Sequence, residues 1–101
     1  MGEFLKAAKL QDIEEGKGIH TEISGKPVAL FKIEGRIYAT GNTCPHRGGP
    51  LGEGECDGTV VTCPWHGWQF DVATGCNPDN PNIKIQTYPV KIQGDEVWVE
   101  V

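Results

Sequence analysis

Apolar and polar positions alternate in short runs along most of the chain, and turn residues punctuate the runs. Residues 19–23, 28–33 and 36–40 are three such runs, separated by Ser24-Gly25 and Glu34-Gly35. Short strands joined by two-residue turns with glycine in second place are hairpins. The chain closes in the same way, with runs at 87–92 and 96–101 around Gly94-Asp95. In the last run Val97, Val99 and Val101 fall on one face and Glu96, Trp98 and Glu100 on the other, because side chains alternate along a strand. Val28-Ala29-Leu30-Phe31 departs from this alternation. It is apolar on both faces, which predicts a central strand covered on each side.

The opening stretch is less regular. Residues 4–10 combine the helix-favouring Leu-Lys-Ala-Ala-Lys with no clean alternation, and we read them as a strand. Asp12 and Glu15 have the spacing of a capping box, which predicts at most one helical turn before Gly16 stops it. In the middle, Asp57-Gly58 predicts a tight turn into a strand at 59–62, and a further strand follows at 69–72. Residues 73–82, dense in Gly, Asn and Pro, predict an exposed loop. The elements indicate an all-β fold, an antiparallel sandwich or partly open barrel. No repeat, low-complexity tract or linker-like shift divides the sequence, so residues 1–101 are expected to form a single domain.

Charge narrows the partners. Nine Lys and Arg against fourteen Asp and Glu give a net charge of −5, which argues against nucleic acid or an anionic membrane and in favour of basic protein surfaces. No apolar run approaches the ~18 residues of a membrane span and no signal peptide is visible, so a cytoplasmic location is expected.

The candidate chemistry lies in two stretches, Cys44-Pro45-His46-Arg47-Gly48-Gly49-Pro50-Leu51 and Cys63-Pro64-Trp65-His66-Gly67-Trp68-Gln69-Phe70. Each arm supplies one thiolate and one imidazole, and 16 residues separate His46 from Cys63. Mixed arms match the 2Fe-2S ligation in which two histidines replace two thiolates on one iron. Structural zinc also uses Cys₂His₂ sets, but its familiar spacing puts both cysteines on one arm and both histidines on the other. Four cysteines also allow two disulfides in one of three connectivities, which leaves both histidines without a role. Two unrelated core histidines are the plain alternative, and their pairing with the Cys-Pro arms argues against it.

With their Pro and Gly neighbours, the arms resemble the cluster-binding signature of Rieske proteins. The resemblance implies a Rieske-like fold with a two-loop cluster-binding region at about 41–72 inserted in the β framework. It implies that Cys44 and Cys63 hold one iron of a 2Fe-2S cluster while His46 and His66 hold the other, through Nδ1 with Nε2 facing solvent. Two ferric ions, two sulfides, two thiolates and two neutral imidazoles sum to zero charge. Reduction of such a centre is easier than for an all-thiolate cluster, and potentials run from roughly −150 to +300 mV.

Rieske subunits of the quinol-oxidising respiratory complexes carry an extra Cys in each arm, forming a disulfide, and a Ser and a Tyr that hydrogen-bond to sulfur. Gly49, Trp65, Trp68 and Phe70 stand at those positions here, which implies no staple between the loops and a potential toward the low end of the range. Together with the absence of an apolar anchor, this resembles the soluble Rieske-type ferredoxins of ring-hydroxylating dioxygenase systems. The implied function is one-electron transfer from a flavin-dependent reductase to a terminal oxygenase, without bond chemistry or a small-molecule substrate. Two alternatives are a Rieske-like small subunit or accessory domain of a larger oxidoreductase such as nitrite reductase, and a zinc-stabilised binding module. A self-contained oxygenase needs a further 2-His-1-carboxylate site, and only His20 remains.

The neighbours of the ligands also carry expectations. Gly48, Gly49 and Gly67 would let backbone amides approach the sulfides closely, and Pro45, Pro50 and Pro64 stiffen the loops. Leu51, Trp65 and Trp68 would shield the cluster, with Trp65 near an exposed tip. Cys56 and Cys76 are expected as free thiols, and His20 as a surface or core residue.

Overall fold

The computed structural model describes residues 3–43, 49–65 and 67–100. Ten strands run through them: β1 (Phe4–Lys9), β2 (Lys17–Ile23), β3 (Lys26–Ile33), β4 (Arg36–Gly41), β5 (Glu55–Asp57), β6 (Val60–Thr62), β7 (Gln69–Asp71), β8 (Thr87–Tyr88), β9 (Val90–Gln93) and β10 (Glu96–Glu100). They form three antiparallel sheets, ordered β1-β10-β9, β2-β3-β4-β8 and β5-β6-β7. The architecture is all-β and is not a closed barrel.

The hairpin turns follow from their residues. Ser24 and Gly25 have φ of 52° and 78°, and Glu34 and Gly35 have 53° and 77°, the doubly positive pair whose twist matches that of the flanking strands. Between them β3 is apolar on both faces, and each face serves a different core. Val28 and Leu30 pack with Ile13, Ile23, Ala39, Val97 and Val99. Ala29, Phe31 and Ile33 pack with Leu51, Val61, Cys63, Phe70 and Val72. The central sheet is thus covered on each side, as the double apolar run requires.

β1 is a strand, and a register shift between Lys6 and Ala8 explains its poor alternation: Lys6 pairs with Trp98 and Ala8 with Val97, so Ala7 is extra. Three expectations need correction. No helical turn forms from Asp12; a short 3₁₀ turn occupies Leu10–Asp12 instead, and the Asp12 carboxylate accepts the Lys9 N–H at 3.3 Å. Glu15 turns away to the β3–β4 hairpin, where its carboxylate accepts the Glu34 and Gly35 amides at 2.5 and 3.0 Å. Residues 87–92 are two strands, because Pro89 has no N–H for a ladder; β8 pairs with β4, while β9 pairs with β10 in another sheet. β5, which the sequence pattern did not reveal, pairs Cys56 with Val61. The 73–82 loop is exposed except at Gly75, which is buried, and at Cys76 and Asn77, which are half-buried.

Candidate metal centre

Both arms grow from this framework. The first leaves β4 at Gly41, passes Asn42 and Thr43, and re-enters at Pro50, which forms a bridge with Thr43. The second is the loop of the β6–β7 hairpin. Its base is closed by the Thr62–Gln69 pair, by a Gln69 Nε2 donation to Thr62 Oγ1 at 3.2 Å, and by the Cys63 N–H donating to the Trp68 carbonyl at 2.6 Å.

Cys63 is 1% exposed and belongs to the same apolar cluster as Leu51, Phe70 and Val72, with Trp68 packed against it. Gly49 of the first arm is buried beside it. A Cβ built at Gly49 would lie 2.6 Å from Cys63 Sγ and 3.1 Å from Trp65 Cβ and Cγ, closer than real Cβ atoms approach sulfur. The arms are therefore in contact without an intervening side chain, and a cysteine sulfur sits where solvent does not reach it. That donor chemistry and dryness fit a 2Fe-2S centre, whose potential depends on burial and on the groups facing its sulfurs.

Of the four residues expected to hold iron, the structure places Cys63; Cys44, His46 and His66 lie outside the described residues, as do Pro45 and Gly48. Leu51 is fully buried, Trp68 half-buried and Trp65 50% exposed, so the tip next to Cys63 presents an indole to solvent. Gly67 differs from Gly49. A Cβ there would meet nothing within 4 Å among the described residues, and its φ of 75° marks it as a turn glycine. Cys56 and Cys76 are free thiols. Burial pushes the Cys56 thiol up. His20 is exposed on β2 opposite Ala29. Among the described residues no group of three or more His, Cys, Asp and Glu side chains gathers to hold another metal. Among the described residues no helix is long and apolar enough to cross a membrane.

One residue of the site has no motif to announce it. Asn42 is a buried polar side chain, 7% exposed, whose Oδ1 accepts the Gly52 N–H at 2.7 Å. Its position two residues before Cys44 is its only sequence signal.

Comparison with known proteins places this geometry. The family model of the Rieske [2Fe-2S] domain matches residues 3–89. The ferredoxin component of a naphthalene 1,2-dioxygenase system from Pseudomonas aeruginosa is 41% identical over 101 residues, 97% of this chain and 95% of that protein. The Sphingomonas yanoikuyae B1 ferredoxin superposes with a TM-score of 0.87 at 30% identity, covering 98% of this chain and 99% of the other. A complex of reduced oxygenase and oxidized ferredoxin in carbazole 1,9a-dioxygenase contains a chain that superposes with a TM-score of 0.86 at 32% identity, covering 96% and 92%.

Proposed function

The chain belongs to the Rieske [2Fe-2S] domain family, and from that premise we propose that it is the ferredoxin of a ring-hydroxylating dioxygenase system, a one-electron carrier to a terminal oxygenase. It takes its electron from a flavin-dependent reductase, acts in the cytoplasm, and has no bond chemistry or small-molecule substrate of its own. Residues 1–101 form one Rieske domain, with the cluster-binding region at about 41–72 inserted in the β framework. Cys44 and Cys63 hold one iron and His46 and His66 the other. The 2Fe-2S group supplies reversible one-electron storage at a potential that the two imidazoles raise above that of all-thiolate clusters.

The observation that carries this reading is the seating of Cys63. Cys63 is 1% exposed among Leu51, Phe70 and Val72, with the Gly49 backbone against its sulfur. These residues exclude water from the thiolate and hold it rigidly, which keeps the rearrangement that accompanies electron transfer small. Gly49, Trp65, Trp68 and Phe70 place no disulfide and no hydroxyl donor around the sulfurs, so the potential belongs toward the low end of the family's range. Trp65 and Pro64 are exposed at the tip, and the electron leaves by the outer nitrogens of His46 and His66.

An EPR-monitored reductive titration of the purified protein tests the proposal. The expected result is a rhombic signal with an average g value below that of all-thiolate clusters. Its midpoint is expected nearer the lower than the upper limit of roughly −150 to +300 mV. A colourless, EPR-silent protein containing zinc would overturn it.

A further inference from the structure

The first arm leaves and rejoins the β framework through a clasp centred on one residue, Asn42, by both its backbone and its side chain. We infer that Asn42 is a positioning residue for this arm, fixing the base from which Cys44 and His46 are presented and thereby setting the electronic state and retention of the cluster. The inference rests on the proposed role of those two residues as ligands.

Among the described residues Asn42 holds three hydrogen bonds. Its N–H donates to the Pro27 carbonyl at 3.1 Å, its carbonyl accepts the Leu51 N–H at 2.8 Å, and its Oδ1 accepts the Gly52 N–H at 2.7 Å. The residue thus ties the start of β3, the exit of β4 and the 3₁₀ turn Leu51–Glu53 that follows the arm. The Thr43–Pro50 bridge extends the clasp by one pair. Gly52 completes it: a Cβ there would lie 2.8 Å from the Ile19 carbonyl oxygen and 2.9 Å from Asn42 Oδ1, so a side chain would push the clasp open.

A buried amide acceptor has an ordinary structural use, satisfying one backbone donor. The location of this one adds a second. The segment that begins at the Asn42 clasp comes to Gly49, which lies against Cys63 of the other arm. The first arm is therefore held at its described ends, Asn42 at the base and Gly49 against the second arm, and loosening the base frees the spacing between the two ligand sets. Outer residues that orient ligands hold metal affinity by about 10- to 100-fold.

The test compares wild-type protein, cluster loaded, with Asn42→Ala, Asn42→Asp and Gly52→Ala. The readouts are the EPR g tensor, the midpoint potential and the rate of iron release to a chelator. Asn42→Ala is expected to move the g tensor and the midpoint and to speed iron release about tenfold or more. Asn42→Asp keeps an oxygen acceptor at the same reach and is expected to keep the wild-type g tensor and release rate. Gly52→Ala leaves Asn42 in place but presses on Oδ1, and is expected to reproduce the Asn42→Ala signature. If Asn42→Ala only lowers the melting temperature, with g tensor, midpoint and release rate unchanged, Asn42 is a cap for the fold and the inference is overturned. Should that variant fail to fold, unchanged spectra and release in Gly52→Ala overturn it instead. A wild-type protein without the mixed-ligand signal removes the ligand reading itself, a failure visible before any variant is made.

Discussion

At position 49 the chain has room for glycine alone, since a Cβ would stand 2.6 Å from Cys63 Sγ and 3.1 Å from the Trp65 side chain. Neither neighbour yields easily: Cys63 is locked in the apolar cluster, and the contacting Trp65 atoms are the Cβ and Cγ next to the backbone. Gly49→Ala is therefore expected to cost about 1–3 kcal/mol of stability as an overpacked site. It should also lower the iron content of purified protein, measured by metal analysis beside a thermal melt. Full iron content with an unchanged melt would show that the arms part without cost. Part of this was legible in the residues. The Cys-Pro arms pointed to Cys63, and Trp65 lies exposed beside it as expected for a tip, while Leu51 is buried and Trp68 half-buried. Asn42 was not legible, because its side-chain partner is ten residues away and asparagine before a loop is ordinary turn chemistry.

Among the elements, β3 shows why a doubly apolar strand matters. Its alternate side chains enter two cores, one shared with β10 and the other with Cys63, so the candidate site is built on the strand that also anchors the opposite sheet. The β3–β4 turn is held by Glu15, whose carboxyl the Gly35 amide, then the Glu34 amide, and more weakly Lys32, hold below its ordinary value of 4.5. A carboxyl lowered in the folded state stabilises fully above the unfolded value, and that contribution disappears as pH falls through the folded value. Glu15→Gln is thus expected to melt below wild type at pH 7, with the gap closing as pH drops below the ordinary glutamate range. Thermal melts across that range check it, and a gap that stays constant into acid would show that the charge is not involved. The sequence spacing suggested a helix cap for Glu15, but the amides it reaches lie 19 and 20 residues on.

For the whole molecule, the excess of acidic residues decides how it meets its partners. A net charge of −5 is expected to steer the protein toward basic surfaces on a redox partner. The second-order rate of electron transfer is expected to fall as salt rises and the screening length shrinks from about 10 Å at 0.1 M to about 3 Å at 1 M. Stopped-flow reduction of the carrier by its reductase at several ionic strengths checks this. A rate independent of salt would assign docking to apolar contact, with Trp65, half-exposed beside Cys63, as the first residue to examine.

The residue string by itself determined the all-β pattern, the hairpin turns at Ser24-Gly25 and Glu34-Gly35, the double burial of β3 and, through the spacing of the two arms, the Rieske family. These are local properties: alternation, turn dihedrals and ligand spacing are set within a few residues. Tertiary structure alone decided that Pro89 hands the chain from one sheet to another, that β5 forms between the arms, that Glu15 clamps a distant turn and that Asn42 closes the first arm. Each of these depends on a partner brought near by packing, and the free energy of that choice comes from burying two cores against one strand.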